Sequence, residues 1–194
     1  MSPRGPTSIH QLKVTLVGIR PPVWRRIQVA SSIKMRRLHD VIQATMGWTQ
    51  SHLYEFEVDG VRFGEPDPDF DYGMPVRSAK STPLRRVAPV AGASFSYQYD
   101  FGDNWQHQVL VEQVLLPEQG VVYPRCLAGR RACPPEDVGG IGGYQEFLEA
   151  IRDPEHEEHD SMLMWAGGAF DPDAFDLRAV NQDLATLGPS PWDQ

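Results

Sequence analysis

The chain has 194 residues, a mass of 21.8 kDa and a hydrophobic fraction of 41%, enough apolar mass for one substantial core and too much for a disordered or fibrous protein. Its apolar runs stop well short of the ~18 residues a membrane helix needs, the opening MSPRGPTS lacks the apolar stretch of a signal peptide, and two cysteines, Cys126 and Cys133, are too few for a disulfide-stapled fold. A net charge of −8 disfavours a general duplex-DNA coat, and these features together point to a soluble, cytoplasmic protein with no membrane partner.

Residues 1–8 are expected to be a disordered N-terminus. From Ile9 to Val17 apolar and polar side chains alternate with a period of two, which predicts a strand. Pro21-Pro22 must leave the sheet because consecutive prolines donate no ladder hydrogen bonds, and Val23 to Val29 resumes the alternation, giving a hairpin. Ser31 or Ser32 is read as the cap of a helix running to about Met46, with Met35, Leu38, Val41 and Ile42 on one stripe and Gly47 as its end. Leu53 to Val58 and Val61 to Phe63, joined by Asp59-Gly60, form a second predicted hairpin.

Gly64 to Pro75 carries three prolines and alternating acids, and is read as a solvated loop, since it lacks the glycine and closing glutamate of a calcium-binding EF-hand. A short helical turn is expected at Thr82–Val87, then strands at Ser94–Tyr99 and His107–Leu115 linked by a turn-rich Asp100–Trp105. Beyond Pro117 a Gly/Pro-rich segment, Tyr123–Gly143, precedes helical patterns at Tyr144–Ile151 and Asp176–Leu187. The expected architecture is α+β: a β-grasp-like mixed sheet wrapped on a central helix, with an acidic helical C-terminal extension. It is expected to be one domain over residues 9–187, with sheet and central helix in 9–116, a Cys/Gly/Pro-rich loop and helices in 117–187, and a loose tail from 188 to 194.

Charge is polarised along the chain. Residues 1–39 hold eight bases and no acid, whereas 40–194 hold ten bases and all 26 acids. The layout favours internal pairing between the basic N-terminal part and the acidic C-terminal half over a basic binding patch.

The blocks Ile19-Arg20-Pro21-Pro22-Val23-Trp24-Arg25-Arg26, Leu38-His39-Asp40-Val41-Ile42-Gln43 with Met46-Gly47-Trp48, and Tyr99-Asp100-Phe101-Gly102-Asp103-Asn104-Trp105-Gln106-His107 occur in that order. Cys126, Ala132 to Gly140, Gly143-Tyr144, Asp153-Pro154, His156, His159 and Phe170-Asp171-Pro172 follow them. Through these blocks the chain resembles the plasmid pRiA4b ORF-3-like family over about residues 9–187. The resemblance implies an association with bacterial plasmids or insertion sequences, some members being labelled TnpR-type passenger proteins, and implies no defined activity.

Three constellations carry chemistry. His107, Cys126, Cys133, His156 and His159 combine imidazole and thiol groups that suit zinc, although the cysteines are seven apart and equally suit a buried structural role. Asp103 and His107, with Asp100, Glu136-Asp137 and Asp171 or Asp173, are candidates for acid–base or metal-assisted hydrolysis of phosphodiesters, the alternative being turn formation and packing. Arg20, Trp24, Arg26 and Trp105 are candidate contacts for a protein or nucleic-acid partner. The glycines 139–143 precede a helix but lack the Gly-Lys-Ser/Thr ending of a P-loop. No cofactor is fixed by the sequence. The expectation is a non-enzymatic recognition module of mobile elements, with a metal-dependent hydrolase as the alternative.

Overall fold

The computed structural model describes residues 8–66 and 75–188. The N-terminal segment to residue 7, the centre of the acidic proline loop and the tail beyond Gly188 lie outside the described residues.

The first predicted hairpin forms as β1 (Ile9–Leu16) and β2 (Trp24–Ala30), antiparallel with Leu12 opposite Ile27. The helix α1 spans Met35–Met46 and ends on Gly47, whose φ of 86° is a left-handed value that glycine adopts without a Cβ clash. Its start differs from the serine cap expected. The N-cap is Lys34 and makes no side-chain cap bond; the Met35 and Arg36 amides donate instead to the carbonyls of Thr82 and Ala79, at 2.9 and 3.0 Å. A segment more than forty residues downstream thus satisfies the helix end. Ser31 is buried and donates to His10 Nδ1 at 2.7 Å.

Strands β3 (Tyr54–Val58) and β4 (Val61–Gly64) form the second hairpin through Asp59 and Gly60, both at positive φ. A two-residue β5 (Arg77–Ser78) pairs parallel to β4, and α2 (Leu84–Val87) is the expected short turn. β6 (Ser94–Tyr99) and β7 (Trp105–Leu115) follow, the latter starting two residues earlier than predicted. The Gly/Pro-rich segment contains an unexpected strand, β8 (Arg125–Arg130). Three helices complete the chain: α3 (Gly140–Arg152), α4 (His159–Trp165) and α5 (Leu177–Thr186).

The fold is a mixed α/β arrangement in which one eight-stranded sheet has the order β5-β4-β3-β6-β7-β1-β2-β8, antiparallel except at β4–β5. Alternation sorts the sheet into two faces. Leu12, Val14, Ile27, Phe56, Tyr97, Trp105 and Val109 point inward and share one apolar cluster with Met35, Leu38, Val41 and Ile42 of α1. Each of these aliphatic side chains is fully buried, worth roughly 2 kcal/mol apiece by transfer. The same cluster takes in Tyr144 and Phe147 of α3 and Leu184 of α5. The other face is a polar ladder: Arg26 forks onto Glu112, Gln11 also donates to Glu112, Gln28 donates to Gln11, and Arg125 donates to Gln28.

β8 is an edge strand, and Asn181 of α5 closes it locally by accepting from the Cys126 amide at 2.9 Å and donating to the Cys126 carbonyl at 3.0 Å. That blunts an edge that would otherwise template a further strand.

The internal charge pairing takes a different form from the one expected. Among the described residues, the ion pairs of the N-terminal bases end on Asp40, Glu65 and Glu112, and none reaches the acids beyond Pro135. Arg25 is 3% exposed and is neutralised by no carboxylate; it donates to the carbonyls of Thr45, Trp24 and Arg130 and lies against the Phe175 ring. The carbonyl dipoles around Arg25 are local and preset, and they take the donors that no carboxylate pairs with.

Candidate functional site

Three connections meet at the end of the sheet beyond the C-terminus of α1: residues 47–53 after the helix, 100–104 between β6 and β7, and 131–139 between β8 and α3. Trp48 Nε1 donates to the Pro134 carbonyl at 2.9 Å, tying the first connection to the third. Glu136 makes the same link with charge-assisted bonds: the Thr49 amide, at 3.0 Å, and hydroxyl donate to its Oε2, and the Tyr99 hydroxyl donates to its Oε1. The Ser51 amide donates to Tyr99 Oη at 3.1 Å, and the Asp100 amide to the Leu53 carbonyl at 2.9 Å. Burial, then the Glu136 carboxylate, raises the Tyr99 pKa, so this hydroxyl is a fixed donor.

The central turn is built by Asp100. Its φ is 55°, and its Oδ1 accepts from the amides of Gly102 and Asp103 at 2.9 and 3.3 Å, an Asx-type arrangement that aspartate forms readily. With Oδ1 so engaged, Oδ2 faces His52 Nε2 at 3.6 Å. Asp137, at φ 60°, brings Oδ1 to 2.9 Å from the same nitrogen. His52 Nε2 is shielded from solvent yet forms no aligned hydrogen bond with either oxygen. Among the described residues, His52, Asp100 and Asp137 are the one group of His, Cys, Asp and Glu side chains whose ligand atoms gather, all within 4.8 Å of one another. These are the residues able to hold a metal.

Asp103 stands beside this group. Its Oδ2 accepts from the Gly139 amide at 3.1 Å, and its carbonyl lies so close to Gly140 that a Cβ there would sit 2.6 Å away. Glycine at 140, with φ 68°, is therefore required for α3 to start against the turn.

The other sequence-selected residues lie elsewhere. His107 is 1% exposed on the inner face of β7; its Nδ1 donates to the carbonyls of Trp105 and Tyr97, and burial lowers its pKa to about 4. Trp105, 1% exposed, packs with Trp48 in the core. Cys133 is buried and its thiol is pushed up to about 12 by desolvation; Cys126 is buried on β8 with its thiol also raised. Both are neutral thiols, the unreactive form. His156 accepts from the Glu158 amide, and His159 donates to the Ala150 carbonyl, at the junction of α3 and α4. The five residues considered for zinc thus form no ligand group among the described residues. Asp173 pairs with Arg131 and Asp171 accepts from the Asp173 amide, and neither joins the His52 group. Arg20 is exposed, Arg26 is committed to Glu112, and half-buried Trp24 has the Lys13 and Arg26 cations 5.3 and 5.4 Å from its ring centroid.

Sequence reasoning had grouped Asp100 and Asp137 but missed His52. The available signal was the polar run Thr49-Gln50-Ser51-His52 directly after a glycine-terminated helix, a loop rather than the approach to a strand.

The family model described as plasmid pRiA4b ORF-3-like protein matches residues 8–179. An uncharacterized protein of Sinorhizobium fredii, y4hQ, is 44% identical over 181 residues, covering 93% of this chain and 92% of its own. A crystal structure of a protein of unknown function, MM3350 from Methanosarcina mazei Go1, is similar with a TM-score of 0.82 and 40% identity, over 90% of this chain and 97% of that one.

Proposed function

The chain belongs to the plasmid pRiA4b ORF-3-like family, and from that premise we propose that it is a non-enzymatic recognition module associated with bacterial plasmids or insertion elements, whose working surface is the three-loop end of the sheet. One observation carries the reading. Polar side chains from three separate connections meet at that end and are braced there by Glu136 and Asp100, with Leu53 67% exposed and Phe101 49% exposed on either side of Asp100. Exposed apolar side chains beside ordered polar groups are the composition of a contact surface. The groups best suited to covalent chemistry, His107 and Cys133, are sealed in the core.

On this reading residues 9–187 act as one domain in the cytoplasm, the sheet wraps α1 in a β-grasp-like manner, and the acidic helical C-terminal part is an extension packed on it. The family's plasmid name supports the mobile-element association. The partner is a protein or a nucleic acid, with Arg20, Trp24 and Arg26 as a second contact zone on the open sheet face.

A second reading, a metal-dependent hydrolase acting on phosphodiesters, is favoured by the gathering of His52, Asp100 and Asp137. Crosslinked capture from a host extract separates the two. Recognition at the loop end predicts that a defined partner held by the wild type is lost by Leu53→Ser with Phe101→Ser and kept by Leu116→Ser, an exposed site at the other end of β7. The reverse pattern removes this surface from the reading. Metal-dependent cleavage of bis(4-nitrophenyl) phosphate that vanishes in His52→Ala would make the hydrolase reading the correct one.

A further inference from the structure

We propose that His52 Nε2, Asp100 and Asp137 bind one divalent first-row metal ion, zinc or manganese. The inference rests on the three-loop end being the working surface and names the ligand held there.

Ligand spacing is the first argument. Atoms bound at about 2.1 Å to one ion lie roughly 3.0 Å apart at octahedral angles and 3.4 Å apart at tetrahedral ones. The two carboxylate oxygens stand 2.9 and 3.6 Å from His52 Nε2, which brackets those values. Hydrogen bonding is the second. A ring nitrogen has one axis along which to donate or accept, yet two carboxylates approach His52 Nε2 and it bonds neither: Asp100 Oδ2 stands beyond hydrogen-bond reach at 3.6 Å, and Asp137 Oδ1, at 2.9 Å, makes no aligned bond. A cation placed among the three atoms satisfies all of them at once and offsets the repulsion of two carboxylates held within 4.8 Å.

Preorganisation is the third argument. Asp100 is oriented by two backbone amides on its other oxygen, and the connection bearing Asp137 is pinned through Glu136 to Thr49 and Tyr99. Outer bonds of this kind fix ligand orientation in metal sites. An imidazole with two carboxylates suits zinc or manganese better than magnesium or calcium, which take oxygen alone. The Asp137 side chain is 68% exposed, so the ion keeps positions open to water or to an oxygen atom of a bound partner.

The test is calorimetric titration of the chelator-treated full chain with Zn2+ and Mn2+, with Mg2+ as comparator. The expected result is one site per chain, tighter for Zn2+ than for Mn2+, and weakened at least tenfold by each of His52→Gln, Asp100→Asn and Asp137→Asn. Asp173→Asn, whose carboxylate pairs with Arg131 and not with the His52 group, binds as the wild type does. Circular dichroism and urea midpoints establish that each variant is folded, and Mn2+ electron paramagnetic resonance of the wild type reports nitrogen coordination that His52→Gln abolishes. Absence of binding up to millimolar ion, or equal binding in all three ligand variants, overturns the proposal. Ion binding with partner capture unchanged in Leu53→Ser with Phe101→Ser leaves the metal site standing and removes the loop end as the recognition surface; capture that depends on Leu53 and Phe101 with no ion bound does the reverse.

Discussion

Two histidines that each lie against an aromatic ring of one cluster meet opposite fates. His107 on β7 adjoins the Tyr97 and Trp48 rings, with centroids 5.2 and 5.4 Å away, and His52 in the loop after α1 adjoins the Tyr99 ring at 5.9 Å. His107 is enclosed by the sheet and α1, spends its one N–H on backbone carbonyls, and is held neutral because burial penalises its charged form. His52 sits one layer further out, its side chain 32% exposed, and meets two carboxylates instead of two carbonyls. The comparison teaches that depth below the surface separates the two imidazoles. The inner one is part of the core, and the outer one stays partly exposed beside two carboxylates.

The sharpest way to break this division is Trp105→Ala. Removing a fully buried indole from the inner layer should cost about 3–5 kcal/mol, read as a large drop in the urea midpoint with m unchanged; a loss below 1 kcal/mol would mean the inner layer is not the core. Next comes acid. His107 titrates near 4 when native against 6.5 in the unfolded chain, so the unfolded state takes up a proton that the native state refuses. Stability is full above pH 6.5 and falls by roughly 3 kcal/mol as pH drops towards 4. His10 and His39, also lowered by burial, add to the same slope. Urea midpoints between pH 4 and 7.5 check this, and His107→Phe should flatten the slope.

Tyr97→Phe probes a finer feature. The Tyr97 hydroxyl joins His39 Nδ1 at 2.8 Å and Gln43 Nε2 at 3.0 Å, so its removal leaves two buried groups unpaired and should cost about 1–3 kcal/mol. The smallest effect belongs to the outer layer: His52→Ala should change stability by no more than about 0.5 kcal/mol in chelator, because the side chain is partly exposed and makes no aligned hydrogen bond. A thermal melt shifted as far as that of Tyr97→Phe would merge the two layers and defeat the comparison.

Most of the sheet was legible because alternation and turn chemistry are local. Leu12, Val14 and Leu16 face inward for the same reason that Gln11, Lys13 and Thr15 do not, and Asp59-Gly60 turned where its backbone angles allow. β8 was illegible because Arg125–Arg130 has no apolar alternation; β2 supplies its ladder and Asn181 covers its far edge. The α1 start was misread for a related reason, since two carbonyls from the loop before α2 replace a serine cap. At the site, Asp100 and Asp137 drew attention as carboxylates in turns, while the only local mark on His52 was the polar run Thr49-Gln50-Ser51-His52 that holds it.

Residue periodicity, turn formers and ordered motif blocks thus determined by themselves the β-β-α-β-β opening, the inward stripe of α1 and membership of the family. Tertiary structure alone decided that His107 and the cysteines are sealed while His52 joins Asp100 and Asp137, because that choice depends on which connections, far apart in the chain, reach the same end of the sheet and how much water they admit.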